Sequence, residues 1–268
     1  MSTASFSHTS KPTIKILGAY GGKATNMQLT SIQISKEVVI DAGNILEGLG
    51  NGMKNINHVF ISHSHLDHIN DIGFLIDATF ECRTESLKIY GREKTLQDIH
   101  NHILNWDIWP DFTQINLINS DIKAVELISI ELNEIIEVDG CKIKAIENNH
   151  TISSNGYVVE KEDSAIMFTS DTYCCDSIWD EVNSNEKITA VIIDVSFPSR
   201  MAQLALDSKH LTPALLEDEL KKLTREDISI HINHIKPSYK VELIKEIIKA
   251  DLLLNDGMIL EAQDVIEF

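Results

Sequence analysis

Apolar positions open this chain in short alternating bursts. The runs at 13–17, 28–34 and 38–40 are rich in β-branched residues and are separated by glycines and polar turns, which predicts an antiparallel meander. A further strand-like run covers 57–62. The period then changes. Helical spacing of apolar residues appears over 71–80, 93–104, 212–223 and 239–253, interleaved with strand-like runs at 142–147, 156–159, 165–169, 190–195 and 228–232. Strands alternating with helices after a β-rich start predict a layered α/β architecture, sheets covered by helices on their outer faces, with polar clusters in the loops at strand ends.

Length and composition narrow the picture. A chain of 268 residues with 43% hydrophobic content and no Pro/Gly/Ser-rich linker is expected to form one domain over 13–268, preceded by a loosely attached Ser/Thr-rich stretch over 1–12. No apolar run approaches the length of a membrane span and no signal-like segment opens the chain, so a cytoplasmic protein is expected. The four cysteines, Cys82, Cys141, Cys174 and Cys175, lack C-x-x-C spacing and predict neither a disulfide framework nor a thiolate zinc site. A formal net charge of −18 disfavours long nucleic acids and anionic membranes as partners. A small anion can still reach a site whose own metal ions reverse the field.

The chemistry is concentrated in His63-Ser64-His65-Leu66-Asp67-His68. Three imidazoles and a carboxylate in six residues, placed just after a strand, form a donor set for zinc, iron or manganese, and the spacing can serve two ions. The missing ligands recur at other predicted strand ends: His150, Asp171 and His234. Alone, each has an ordinary explanation. His150 or His234 would be a hydrogen-bonded structural histidine, Asp171 a turn former and Asp67 a helix cap. Together the seven supply three ligands per ion and a bridging carboxylate. His231 competes with His234 on spacing, but strand alternation places it opposite Ile230 and Ile232 within the strand, whereas His234 falls past its end. The turn Gly18-Ala19-Tyr20-Gly21-Gly22-Lys23-Ala24-Thr25 imitates a phosphate loop, yet Leu17 and Ala24 stand where that motif needs Gly and Ser or Thr. Its glycines predict a close backbone approach instead.

These residues resemble the metallo-β-lactamase superfamily, with its H-x-H-x-D-H motif, a later His, an Asp after a strand and a final His. The resemblance implies an αββα sandwich in which His63, His65 and His150 hold one metal, Asp67, His68 and His234 the other, and Asp171 bridges. The stretch from Asn105 to Phe112, the pieces Asn149-His150-Thr151, Ser208-Lys209-His210-Leu211-Thr212-Pro213 and His234-Ile235-Lys236-Pro237 are similar to the class II 3′,5′-cyclic-nucleotide phosphodiesterases, from about residue 13 to the C-terminus. That likeness implies hydrolysis of cyclic AMP or GMP to the nucleoside 5′-monophosphate by a dinuclear centre, zinc first, with manganese or iron as alternatives. Two ions would activate a water by lowering its pKa from about 15.7 to near 7 and would neutralise the phosphoryl oxygens. Asp67 would orient the attacking hydroxide.

Related RNA-processing members pair a histidine outside the metal set with an acid on the preceding strand. By that resemblance His210 with Asp194 is the candidate general acid, the alternative being that His210 caps the helix beginning near Thr212. Lys236 would add a cation for the phosphate, or else be a solvated surface lysine. Asn105 and Trp106 are the remaining substrate-binding candidates, an aromatic face being a sequence-tolerant way to hold a base, although such a stretch also serves as a core anchor. The implied partner is a small cyclic nucleotide, with a homodimer expected by analogy. Competing functions are a tRNA 3′-processing endonuclease, a thioester hydrolase or a lactamase on the same fold, and, in another class, a di-iron redox protein or a metal-binding protein without turnover.

Overall fold

The computed structural model describes residues 11–268, so the N-terminal stretch expected to be loosely attached lies, for residues 1–10, outside the described residues. The opening runs form β1 (Thr13–Gly18), β2 (Ser31–Gln33) and β3 (Val38–Ile40), paired antiparallel in sequence order as the meander requires. From β3 onward the first sheet turns parallel through β4 (His58–Phe60), β5 (Leu87–Gly91) and β6 (Val125–Ser129). The second sheet is built from β7 (Ile135–Val138), β8 (Cys141–Ile146), β9 (Gly156–Lys161), β10 (Ser164–Phe168), β11 (Ile188–Asp194) and β12 (Ser229–Asn233). Its first four strands run antiparallel and its last three parallel. A last strand, β13 (Val265–Glu267), returns to pair with β1.

Alternation along each strand sends one set of side chains between the sheets and the other outward. On β10 and β11, Ile166, Phe168 and Ile192 enter the inter-sheet core with Ile16, Ile40 and Phe60. Met167, Val191 and Ile193 face outward onto α5 (Asp176–Ser184), α7 (Pro213–Leu220) and α8 (Lys240–Lys249), which contribute Ile178, Trp179, Leu216 and Leu243. The outer face of the first sheet is covered by α1 (Ile45–Leu49), α3 (Ile72–Thr79) and α4 (Glu93–His102), where Ile72, Leu75 and Ile76 follow the i, i+3, i+4 stripe of an amphipathic helix. Thr212 caps α7, its Oγ1 accepting from Leu215 N at 3.3 Å, a contact worth about 1 kcal/mol. That places the cap on Thr212 and leaves His210 for other contacts. Short helices α2 (Leu66–Ile69) and α6 (Ala202–Ser208) complete the chain. Among the described residues no helix is long and apolar enough to cross a membrane.

Two helix-flanked sheets face to face give the layered sandwich predicted from the sequence. Strands β3 and β4 of one sheet and β8, β10, β11 and β12 of the other all end toward one rim, and the loops after β4, β8, β10 and β12 carry the candidate ligands.

Candidate metal centre

The rim of the first sheet delivers His63 and His65 in the loop after β4, with Asp67 and His68 in α2; the second delivers His150 after β8, Asp171 after β10 and His234 after β12. Residues separated by more than 160 positions thereby converge. One group brings together His63, His65, His150 and Asp171, another Asp67, His68 and His234. In the first, His65 Nδ1 lies 3.0 Å from His63 Nε2 and 3.1 Å from His150 Nε2, while Asp171 Oδ2 stands 3.7 and 3.9 Å from those two Nε2 atoms. In the second, His234 Nε2 lies 3.3 Å from both His68 Nε2 and Asp67 Oδ2, and Asp171 Oδ1 completes it at 3.3 Å from His68 Nε2 and 3.1 Å from His234 Nε2. Asp171 thus offers one oxygen to each group, the disposition of a bridging ligand.

These separations test whether the residues fit metal ions. The Nδ1 atoms of four of the five imidazoles are tied back to the protein: His63 to Ser62 Oγ at 3.0 Å, His68 to Asp41 Oδ2 at 2.7 Å, His150 to the Lys209 carbonyl at 3.1 Å and His234 to Ser196 Oγ at 2.9 Å. Each Nε2 is left as a lone pair aimed inward, and His65 presents Nδ1 instead. Lone pairs facing one another at about 3 Å cannot be hydrogen bonds. They match the edges of a tetrahedron around an ion bound at about 2.0–2.1 Å, for which ligand atoms stand about 3.3 Å apart. The donor set of imidazole and carboxylate fits a divalent metal such as zinc.

For the first group the electrostatics point the same way. Burial pushes the His63 and His65 imidazoles down and takes His150 to about 4, so the first group is held neutral, as ligation requires. Burial also opposes charge on His68, but the carboxylates of Asp171 and Asp41 outweigh it and its pKa is raised well above the usual range. Burial would raise Asp67 and Asp171. The neighbouring imidazoles, His234 and His68, outweigh it, so both carboxyls lie well below the normal range. Asp41, Asp171 and Asp194 are all at most 2% exposed, an accumulation of buried carboxylates that calls for positive charge.

Beside the second group, His210 Nδ1 lies 2.7 Å from Asp194 Oδ2. Its ring is 5.2 Å from those of both His150 and His234. Burial lowers its pKa, but the Asp194 charge and hydrogen bond, helped by Asp171, outweigh it and the pKa is raised. Lys236 donates Nζ–H to the Gly21 carbonyl at 2.6 Å and stands 3.9 Å from Asp67 Oδ2, at the edge of the cluster. Asn105 and Trp106 lie in the loop after α4. Asn105 shapes its own loop, accepting from Asp107 N and Ile108 N, and Trp106 is 62% exposed on that loop; neither forms a hydrogen bond with the cluster. Trp109 instead packs the loop onto Phe74.

Sequence reasoning missed the residues behind the ligands. Asp41 accepts from His68 directly, and Ser62 links it to His63. Asp41 follows β3 with φ 57°, a left-handed conformation that Asp tolerates better than most residues, and His234 (φ 64°), Ser170 (φ 56°) and Lys209 (φ 56°) share it around the site. The signal available was the Asp41-Ala42-Gly43 turn closing an apolar strand.

Comparison with known proteins agrees with the geometry. The model of the family described as "Anti-Pycsar protein Apyc1" matches residues 22–222. The chain belongs to that family. This Apyc1-family chain is also 23% identical to a probable 3′,5′-cyclic-nucleotide phosphodiesterase of Yersinia pestis, over 97% of its own length and 87% of the relative's. It is 24% identical to a ribonuclease Z of Methanococcus maripaludis, over 80% of its length and 81% of the relative's. Among solved structures, the metallo-β-lactamase fold protein YhfI of Bacillus subtilis superposes with a TM-score of 0.75 at 16% identity, covering 97% of this chain and all of that one. The Apyc1-family chain is therefore a hydrolase with the metallo-β-lactamase fold, two mixed sheets flanked by helices, as the sequence resemblance implied.

Proposed function

We propose that this protein hydrolyses 3′,5′-cyclic nucleotides to nucleoside 5′-monophosphates at a dinuclear metal centre. The observation that carries the reading is the His210–Asp194 pair beside the two ligand groups, because a phosphodiesterase must protonate a poor leaving group as well as activate water. When bound, two divalent ions, zinc in the first instance, supply Lewis-acid charge for the phosphoryl oxygens and lower the pKa of the attacking water.

The chain's own residues do the rest. With Nδ1–H held by Asp194, His210 has Nε2 free to pass a proton to the departing 3′-oxygen as the P–O3′ bond breaks. The Asp194 carboxylate raises its pKa, which favours the protonated form that an acid needs. Asp67 accepts a hydrogen bond from the attacking nucleophile and orients it, and Lys236 places a cation beside the phosphate. Trp106 offers the nucleobase an exposed aromatic face, on a loop that the Asn105 amide holds in shape. In the same reading the unit is residues 13–268, acting in the cytoplasm as a homodimer.

Ribonuclease Z relatives make RNA processing the second reading, since phosphodiester chemistry at such a site is common to both. The net charge of −18 opposes it, because long RNA is held chiefly through phosphate contacts to cationic side chains. The test is hydrolysis by zinc- or manganese-loaded protein of cyclic AMP and cyclic GMP, a pyrimidine cyclic nucleotide and a precursor tRNA. Turnover of the cyclic mononucleotides with 5′-monophosphate product is expected. Cleavage of the tRNA alone would reverse the assignment.

A further inference from the structure

Ser196 stands where two functions of the site meet. It is fully buried, and its Oγ lies 2.6 Å from Asp194 Oδ1, 2.9 Å from His234 Nδ1, 3.0 Å from the His234 carbonyl and 3.2 Å from His210 Nδ1. A hydroxyl has one proton to give and lone pairs to accept with. The shortest contact, to a carboxylate oxygen, takes the proton, and His234 Nδ1–H then donates into the hydroxyl oxygen. His234 Nδ1 and Asp194 Oδ1 are themselves 3.7 Å apart, too far for a hydrogen bond, so the hydroxyl closes the gap. The other carboxylate oxygen, Oδ2, accepts from His210 Nδ1 at 2.7 Å. Asp194 therefore divides its two oxygens between a metal ligand and the candidate acid.

We infer that Ser196 is a positioning residue that fixes His234 as the Nδ1–H tautomer, with Nε2 toward the second metal position, and ties that ligand to the carboxylate that orients His210. The inference rests on the reading of His234 as a ligand and of His210 with Asp194 as the acid pair. It makes Asp194 a support of metal binding as well as of proton transfer, and it makes the two separable at one hydroxyl. A second arrangement of the same kind lies across the site, where Ser62 Oγ contacts Asp41 Oδ2 at 2.9 Å and His63 Nδ1 at 3.0 Å. The Ser196 contacts thus follow a construction that the other sheet also uses.

The experiment compares wild type, Ser196→Ala and, as a control for loss of a buried hydroxyl near the site, Thr212→Ala, whose hydroxyl caps α7 and touches no ligand. Stepwise zinc affinity is measured by competition with a chelator, and the imidazole N–H resonances are followed by NMR. Ser196→Ala is expected to bind the second equivalent about 10–100-fold more weakly, with the first unchanged, and to lose the slowly exchanging His234 Nδ1–H signal. Thr212→Ala is expected to keep both. If wild type holds two equivalents and Ser196→Ala holds them equally well, or if Thr212→Ala shows the same selective loss, the positioning role is wrong while the dinuclear reading stands. A wild type that holds fewer than two equivalents overturns that reading, and the inference falls with it.

Discussion

Gly21 lies so close to the His234 imidazole that a Cβ on it would stand 2.4 Å from Cε1 and 2.5 Å from Nδ1. The turn that imitates a phosphate loop is therefore the backing of a ligand. Gly21→Ala should displace His234 and lower affinity for the second metal at least about tenfold, with a near-native circular dichroism spectrum. Unchanged two-metal stoichiometry under chelator challenge would show that the ring can move aside harmlessly.

Asp171 offers an oxygen to each ligand group, so its loss should be felt at both. Asp171→Ala is expected to abolish stable binding of two ions by elemental analysis and to reduce hydrolysis to background. Two retained equivalents would rule out bridging.

His210 is outside both ligand groups in the role assigned to it. Turnover of a cyclic nucleotide by His210→Ala should fall about 10²–10⁴-fold with metal content near wild type. If metal is lost along with activity, His210 acts as a ligand or structural residue and the general-acid role fails.

His231 gives a test of stability against pH away from the metal centre. Burial takes its imidazole down to about 4, although Asp256 and Asp264 pull the other way. Above about pH 6.5 neither the folded nor the unfolded state is protonated there and the residue contributes no pH dependence. As pH falls from about 6.5 toward 4, the unfolded chain takes up the proton and the folded one does not, which lowers stability by about 2 kcal/mol at pH 5. Urea unfolding at pH 7.5 and pH 5 should show a smaller acid loss for His231→Leu than for wild type. An equal loss in both would mean that His231 titrates normally in the fold.

The ligands were legible in the sequence because each is a histidine or aspartate at the end of an apolar run, where a loop must carry polar groups to a sheet rim. The strands at Leu87–Gly91, Val125–Ser129, Ile135–Val138 and Val265–Glu267 were not predicted, since lysine and glutamate on their half-buried faces break the apolar run. The helices Ile45–Leu49 and Ala202–Ser208 are too short to show a period, and Asp176–Ser184 lies in a polar stretch. The expected strand over 28–34 shortens to Ser31–Gln33 because the residues before it bend to pair with the Ala19–Tyr20 turn. Ser62 and Ser196 carry no local signature of their role, and Asp41 only the turn that closes its strand. Only sheet pairing brings them behind the imidazoles, and a single sequence gives no register across strands this far apart.

The two ligand groups draw on both sheets: His63, His65, Asp67 and His68 from one rim, His150, Asp171 and His234 from the other. Ions bound there would rivet the layers together at the end where buried carboxylates otherwise repel, and free energy of binding becomes free energy of folding. The supply of metal would then set how long the protein survives as well as how fast it works, making starvation for the ion a route to its removal.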